Sequence, residues 1–331
     1  LEQVNMMPMP TSATSPLGSA DAGTRRPPGR LGDVVFRGLS TGAGITILVI
    51  LALVSLFLIA QAVPALVATP ADLQARGYGE LWSWVLPFAF GTVWASVWAL
   101  LLAVPTSIGI ALFISHYAPR RIARTLAYIV DLLAAVPSVV FGLWGSMTLA
   151  PAMLPTYLWL NQYLGFLPIF GGRASGTGRT LLTAAIVLAV MILPIITALC
   201  REVFLQTPKL NEEAALALGA TRWEMIKMTV LPYGRSGIIS AVMLGLGRAL
   251  GETMAVAMVL SGAQVINLQV LTSTNSNTMA AVIAQNFPEA SGLRINQLIA
   301  GGLALFVITL AVNSVARWII ARRKDFNGAA A

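Results

Sequence analysis

Long apolar runs separated by short polar segments are the main pattern of this chain. Six such runs are each about long enough, at ~1.5 Å per residue, to cross ~30 Å of hydrocarbon as helices. They lie at residues 41–63, 87–115, 126–150, 180–200, 236–262 and 295–319. Because helices satisfy their own backbone hydrogen bonds in lipid, the pattern predicts an all-α integral membrane protein with six transmembrane helices.

The two ends of the chain lack this pattern. Residues 1–36 are rich in Pro, Ser, Thr, Gly and Met and are predicted to be a disordered cytoplasmic tail, with a second tail at 327–331. The six-span domain then occupies residues 37–326. An alternative exists for the first run, since arginines precede it and residues 60–62 resemble a signal-peptidase site. The run is longer than most signal cores, which favours a retained membrane anchor.

Composition and charge agree with a membrane protein. Only 10% of the residues are charged and 57% are hydrophobic, whereas soluble domains carry about 25% charged residues. The net charge of +8 does not indicate nucleic-acid binding, because the basic residues lie between apolar runs and not on one face. Sixteen of the 21 Lys and Arg residues fall on one side of the predicted membrane, so both termini are predicted to be cytoplasmic.

The longest predicted cytoplasmic loop, residues 201–235, carries clear helix-capping signals. Asn211 is predicted to cap a short helix with Glu212 and Glu213 in its first turn, where the helix dipole favours acids. Gly219 then supplies the residue just past the end of that helix. The loop is therefore expected to be folded and to contain a short capped helix.

A second short helix is predicted after this glycine corner. Residues 221–224 have the Thr-x-x-Glu pattern of a capping box, and Pro232 stops the helix or kinks it into the next span. A well-capped surface loop without a partner would explain this much. The first helix also carries four apolar residues that a solvated loop does not need, namely Ala214, Ala215, Leu216 and Leu218. They favour docking on another protein.

The same loop contains a spaced motif. Residues 213–215 read Glu-Ala-Ala, Gly219 follows four residues later, and residues 231–232 read Leu-Pro. The motif resembles the EAA loop of bacterial ABC-importer permeases, although Thr229 stands where that family has a hydrophobic residue. In the family the first helix of the loop is the coupling helix, which docks in a cleft of the ATPase. The resemblance thus assigns ATPase coupling to Glu212, Glu213, Ala214, Ala215 and Gly219.

Two further stretches, residues 132–145 and 245–256, resemble the PstC-type permease subunits of high-affinity phosphate importers. The resemblance extends from about residue 35 to the C-terminus and is most specific at 208–256. It implies a type I ABC-importer permease architecture in a bacterial inner membrane. It also implies a non-catalytic subunit that forms half of the path by which phosphate enters the cell.

The resemblance implies the rest of the assembly as well. It would include a second homologous permease subunit, a homodimeric ATPase that uses ATP and magnesium, and an extracytoplasmic phosphate-binding protein. This chain has no Gly-x-x-x-x-Gly-Lys-Ser/Thr phosphate loop. We expect it to bind no cofactor or metal, to contact membrane lipid, and to bind no nucleic acid.

Arg248 and Glu252 are two charges within the fifth apolar run. On one continuous helix they would share a face near mid-membrane, where a charge costs ~2.5–3.5 kcal/mol, and Gly247 with Gly251 would let another helix approach closely. A self-satisfied ion pair would explain the two charges. Alternatively, the Arg248 guanidinium binds the translocating anion. Glu252 would then hold the arginine in position, and Thr253 would add a hydroxyl donor.

Two other polar residues near the predicted spans have structural interpretations. Asp131 lies in the third run, where pairing with Arg121 or Arg124 is favoured over a role in transport, and Pro137 is predicted to bend the same helix. His116, the single histidine, ends the second run and is predicted to be interfacial and not catalytic.

Three rival functions remain open from the residues alone. The chain could be a permease for another oxyanion, such as sulfate or molybdate. A secondary anion transporter is disfavoured because the six spans show no evident inverted repeat. A membrane-embedded enzyme is disfavoured because no acid, base and nucleophile converge in the sequence.

Overall fold

The computed structural model describes residues 31–69 and 80–328, which form twelve α-helices and one two-stranded parallel sheet. The helices are α1 Leu31–Val67, α2 Leu81–Leu112, α3 Arg120–Ala134, α4 Ser138–Trp144, α5 Ala150–Leu164, α6 Leu181–Leu205, α7 Lys209–Ala217, α8 Arg222–Met225, α9 Leu231–Leu250, α10 Met254–Val259, α11 Met279–Asn286 and α12 Leu293–Gly328. The strands are β1 Gly262–Ala263 and β2 Asn275–Ser276. Short π-helical turns occur at Phe113–Tyr117, Gly145–Leu149 and Ile226–Val230, and a 3₁₀ turn at Phe287–Glu289.

Six helical segments of the described chain are long and apolar enough to cross a membrane, which confirms the predicted number of spans. They are Gly32–Val67, Leu81–Tyr117, Ser138–Leu164, Leu181–Leu205, Arg222–Leu250 and Leu293–Val315. Helix α1 begins at Leu31 and α12 continues to Gly328, so the inner edges of both predicted tails are helical. The remainder of each tail, residues 1–30 and 329–331, lies outside the described residues.

The chain divides into two units, Leu1–Val54 and Ser55–Ala331. In the first unit, the described part of α1 exposes apolar side chains such as Phe36, Leu39 and Leu48. Exposed apolar side chains of this kind are stable where lipid surrounds the helix. The second unit contains all the other described helices and two hydrophobic clusters.

Helix α6 is the centre of the larger cluster. Fifteen of its side chains are buried, on every face of the helix, as expected of a helix enclosed by others. Helix α2 packs on α6 through small residues spaced four apart, and each of these is fully buried: Ala95, Ala99, Ala103, Ser107 and Ala111. The Ser107 hydroxyl donates to the Leu193 carbonyl oxygen at 3.1 Å. Such a stripe lets two helix backbones approach closely.

Helix α9 packs on α6 through glycines, but not through the predicted pair. A Cβ atom on Gly245 would lie 2.7 Å from the Ile196 side chain, and one on Gly234 would lie 3.1 Å from Val203. In contrast, a Cβ on Gly247 would have nothing within 4 Å. No described helix of this chain approaches at Gly247, because Gly247 is turned about 200° from Gly245 around the helix axis.

The third predicted span, residues 126–150, is shifted in the structure. Residues Arg120–Ala134 form the separate helix α3, which buries none of its residues, and the span runs over Ser138–Leu164. Pro137 is the N-cap of α4 and does not bend a continuous helix, since proline disfavours the helical conformation of the residue before it. Asp131 is exposed on α3, and in the described part of the chain it has no ion pair with either predicted arginine.

We predict that Gly91→Ala destabilises the protein. Gly91 of α2 is buried against β2, and an added Cβ would overlap the carbonyl oxygen of Asn277 and lie 2.9 Å from that of Ser276. Overpacking of this kind costs about 1–3 kcal/mol, which should lower the melting temperature by at least about 2 °C. Thermal unfolding of the purified protein in detergent measures the effect.

The matched control is Gly109→Ala on the same helix, where an added Cβ would have nothing within 4 Å. This variant should melt at the original temperature or slightly above it, because alanine has the higher helix propensity. Equal melting temperatures for the two variants would contradict the packing described for Gly91.

Candidate functional site

The fifth apolar run is broken after Leu250. Helix α9 ends there, and α10 begins at Met254. The prediction that Arg248 and Glu252 share one face of a continuous helix is therefore wrong. The break follows from local chemistry, since glycine at position 251 weakens the helix and the Thr253 hydroxyl donates to the Gly251 carbonyl oxygen at 3.2 Å.

The carboxylate of Glu252 is bound by the backbone of the next helix. Its Oε1 accepts a hydrogen bond from the Ala255 amide at 3.0 Å, three residues ahead, and the side chain is half-buried. An acceptor in this position satisfies an amide in the first turn of α10. In the described residues Glu252 forms no ion pair with Arg248, so the alternative of a self-satisfied pair is not observed.

Arg248 lies at an open cleft on the outer face of α9. Its side chain is exposed, and in the part of the chain that the structure describes its guanidinium has no hydrogen bond or ion pair. The cleft has a volume of about 620 Å³ and is lined by Ile195, Ser240, Met243, Leu244, Gly247, Arg248, Asn313 and Arg317. The arrangement offers an available guanidinium to a ligand in this space.

The first helix of the predicted cytoplasmic loop is present but begins earlier than expected. Helix α7 starts at Lys209 with Pro208 as its N-cap, so the prediction that Asn211 caps it is wrong. A proline at a helix start has its φ angle already near the helical value. Glu212 lies in the first turn as predicted, whereas Glu213 lies beyond it.

The glycine corner is confirmed at Gly219. Its φ is +87°, in the left-handed region that favours glycine. The Gly219 amide donates to the Leu216 carbonyl oxygen at 3.0 Å, and the Ala220 amide donates to that of Ala215 at 3.2 Å. These two bonds are a Schellman motif, which satisfies the last carbonyls of α7 and fixes the direction of the chain.

The predicted capping box is also confirmed. Thr221 Oγ1 accepts from the Glu224 amide at 3.3 Å, and Glu224 Oε2 accepts from the Thr221 amide at 2.8 Å. Helix α8 follows and passes through the π turn Ile226–Val230 into α9, with Pro232 in its first turn. We call residues 208–230 the docking knob.

The docking knob exposes large apolar side chains. Leu218 is 89% exposed and Leu210 is 78% exposed, and Trp223 and Met228 are also exposed. Glu213 and Ala214 are exposed, while Ala215 packs against the larger hydrophobic cluster. A shallow groove of about 530 Å³ is lined by Ala214, Ala215, Leu218, Gly219, Ala220, Glu224 and Met228. Exposed apolar surface beside a defined groove is typical of a protein–protein contact.

One polar contact of the docking knob was missed by sequence reasoning. Glu212 Oε1 lies 3.6 Å from His116 Nε2, and His116 Nδ1 lies 2.7 Å from the Ser115 hydroxyl oxygen. The contact joins α7 to the π turn at the end of α2. The sequence predicts His116 only as an interfacial residue, because nothing in the local sequence indicates a partner so distant along the chain.

Comparison with known proteins identifies the family. Residues 103–325 match the family described as binding-protein-dependent transport system inner membrane component. The chain belongs to this family of permeases. The phosphate transport system permease protein PstC 2 of Mycobacterium tuberculosis is 47% identical over 301 residues, which cover 88% of this chain and 93% of the relative.

Other relatives indicate the same type of permease. PstC of Mycobacterium leprae is 48% identical over 80% of this chain and 86% of its own length. PstC of Mesorhizobium japonicum is 39% identical over 94% of this chain and 96% of its own length. The predicted PstC type of ABC permease is therefore confirmed.

A solved structure shows that the permease fold is shared more widely. A chain of a bacterial ABC transporter that imports the acidic polysaccharide alginate matches with a TM-score of 0.60 and 17% identity, over 88% of this chain and 96% of that one. At this identity the match concerns the fold alone.

We predict that Glu252→Ala loosens the start of α10, whereas Glu252→Gln preserves it. Alanine removes the acceptor for the Ala255 amide, while the glutamine side chain keeps a carbonyl oxygen there. Hydrogen exchange over residues 254–257 should be faster in the alanine variant alone. Equal exchange in all three proteins would contradict the capping role.

Proposed function

We propose that this permease is one of the transmembrane subunits of an ATP-driven phosphate importer and forms half of its path. The observation that carries the proposal is its similarity to phosphate transport permeases of the PstC type along almost their whole length. The Arg248 guanidinium, which has no partner among the described residues and lies at an open cleft, supports the same substrate class, because it can bind a phosphate oxyanion bidentately.

Arg248 is the proposed substrate contact. With Glu252 bonded to the α10 backbone, no carboxylate lines the cleft among the described residues, so no lining carboxylate would repel an anion there. Glu252 and Thr253 act indirectly in this proposal. They hold the break between α9 and α10 beside the path, and thereby fix where α9 ends.

The docking knob is the proposed contact with a homodimeric ATPase. The ATPase, and not this chain, would bind ATP and magnesium. Three features support the proposal: the Leu218 side chain is exposed, the Gly219 corner is fixed by two backbone hydrogen bonds, and α7 has the Glu-Ala-Ala motif. A rigid knob can transmit movement of a partner into α9, since its last turn, Ile226–Val230, continues directly into that helix.

The remaining features of the proposed assembly concern the membrane. Both chain termini and the docking knob would face the cytoplasm of a bacterial cell, consistent with the distribution of Lys and Arg. A second homologous permease subunit would complete the path, and an extracytoplasmic binding protein would deliver phosphate. The apolar faces of the six spans would contact lipid.

We expect Arg248→Ala to reduce ATP-driven phosphate uptake by at least about tenfold, because a hydrogen bond to a charged group contributes about 1.5–3 kcal/mol. Proteoliposomes that contain the permeases, the ATPase and the binding protein measure uptake of labelled phosphate. Arg120→Ala, at an exposed arginine outside the cleft, is the control and should transport normally.

Two results would count against this role of the chain. Normal uptake by an assembled Arg248→Ala complex would exclude the anion contact. Competition by sulfate as strong as that by unlabelled phosphate would exclude phosphate selectivity.

A second prediction concerns the docking knob. Glu213→Lys reverses an exposed charge on α7 and should prevent association with the ATPase, while the isolated permease remains folded. Co-purification and uptake are the two measurements. Glu289→Lys is the matched control at an exposed glutamate outside the knob. If both lysine variants bind the ATPase and transport equally well, the knob is not the coupling surface.

A further inference from the structure

The cleft beside Arg248 contains a second guanidinium. Arg317 of α12 is exposed and lines the same space, together with Asn313 one helical turn earlier on the same face. On α9, Ser240 and Arg248 lie two turns apart on the face that borders the cleft. Arg317 is distant from Arg248 along the chain, and the packing of α9 and α12 places both residues at one cleft.

The donors in the cleft are available for a ligand. Among the described residues, neither the Arg317 guanidinium nor the Asn313 amide has a hydrogen bond or ion pair. The Ser240 hydroxyl donates to the Ser236 carbonyl oxygen at 2.9 Å, so its proton is already committed. Arg248, Arg317 and Asn313 therefore supply the free donors, and no described carboxylate borders them. Two guanidiniums without counter-ions would repel each other and attract an anion.

We propose that Arg317 and Asn313 form, with Arg248, a two-position site for a free tetrahedral oxyanion in transit. The inference rests on the proposed function, since it assumes that this chain moves phosphate. Successive spans run in opposite directions, so Arg317, in the second half of α12, lies nearer the end of the bundle at which α9 leaves the docking knob. Arg248 lies near the other end of α9.

The different positions of the two arginines along the bundle have a consequence for transport. A single tight site would retain the anion, whereas two weaker sites in sequence let it leave one for the other. The anion would be passed from Arg248 to Arg317 on its way toward the docking-knob side. The phosphate group of a lipid offers the same chemistry, so the experiment has to separate a lipid headgroup from a free ion.

The test places a cysteine at Leu244, an apolar and exposed residue of the cleft. Leu244→Cys is introduced into an otherwise cysteine-free complete complex, which requires replacement of the buried Cys200. The rate of labelling by a sulfonate-bearing methanethiosulfonate is measured with and without inorganic phosphate. The measurement is made in nanodiscs of phosphatidylcholine and in nanodiscs that also contain phosphatidylglycerol.

We expect phosphate to slow labelling in both lipids, and Arg317→Ala to weaken that protection by about tenfold or more. Arg317→Lys should keep part of the protection, because the charge remains but the fork of donors is lost. Asn313→Ala should weaken protection less than Arg317→Ala does. Arg120→Ala, outside the cleft, should change nothing. ATP-driven uptake by the same complexes should fall in the same order.

The possible failures are distinguishable. If Arg317→Ala retains full protection and uptake while Arg248→Ala loses both, the second position is wrong and the proposed function stands. Labelling that responds to phosphatidylglycerol but not to phosphate would mean a lipid site and would overturn the inference. Absence of phosphate uptake by the unaltered complex would overturn the inference together with the proposed function.

Discussion

The close packing of α6 against α2 and α9 is the constraint on which the rest of this structure depends. In a membrane, apolar side chains gain little free energy by moving from lipid into a contact between helices. Helices therefore associate where their backbones approach closely. The alanine stripe of α2 and the glycines at 234 and 245 of α9 permit that approach. Because these faces are committed to α6, the neighbouring face of α9 is left open. Arg248 lies on that open face.

The same helix joins the two proposed sites. Helix α9 begins at the π turn that ends the docking knob and stops two residues after Arg248. The knob itself is held by a Schellman corner, a capping box and the contact between Glu212 and His116. In the proposed function these bonds would hold the knob in one conformation, so movement at its surface would be carried into α9. The break at residues 251–253 limits how far that movement continues.

Several features could be predicted from the sequence because their causes are local. Long apolar runs give the six spans, and Thr221 with Glu224 gives the capping box regardless of surroundings. Other predictions failed where two local signals compete. Asn211 is a good capping residue, but Pro208 starts the helix earlier. The apolar run around Pro137 suggested one span, whereas the proline starts a new helix there.

The sequence by itself determined the membrane class, the number of spans, the glycine corner and the permease family, since each depends on composition or on residues close along the chain. The tertiary structure decided the surroundings of each charge. Glu252 is four residues from Arg248 yet binds the amide of Ala255, while Arg317 is far along the chain and shares the cleft. The reason is physical: a single break in a helix rotates every later side chain off its face, and the contacts between helices depend on packing that no local pattern records.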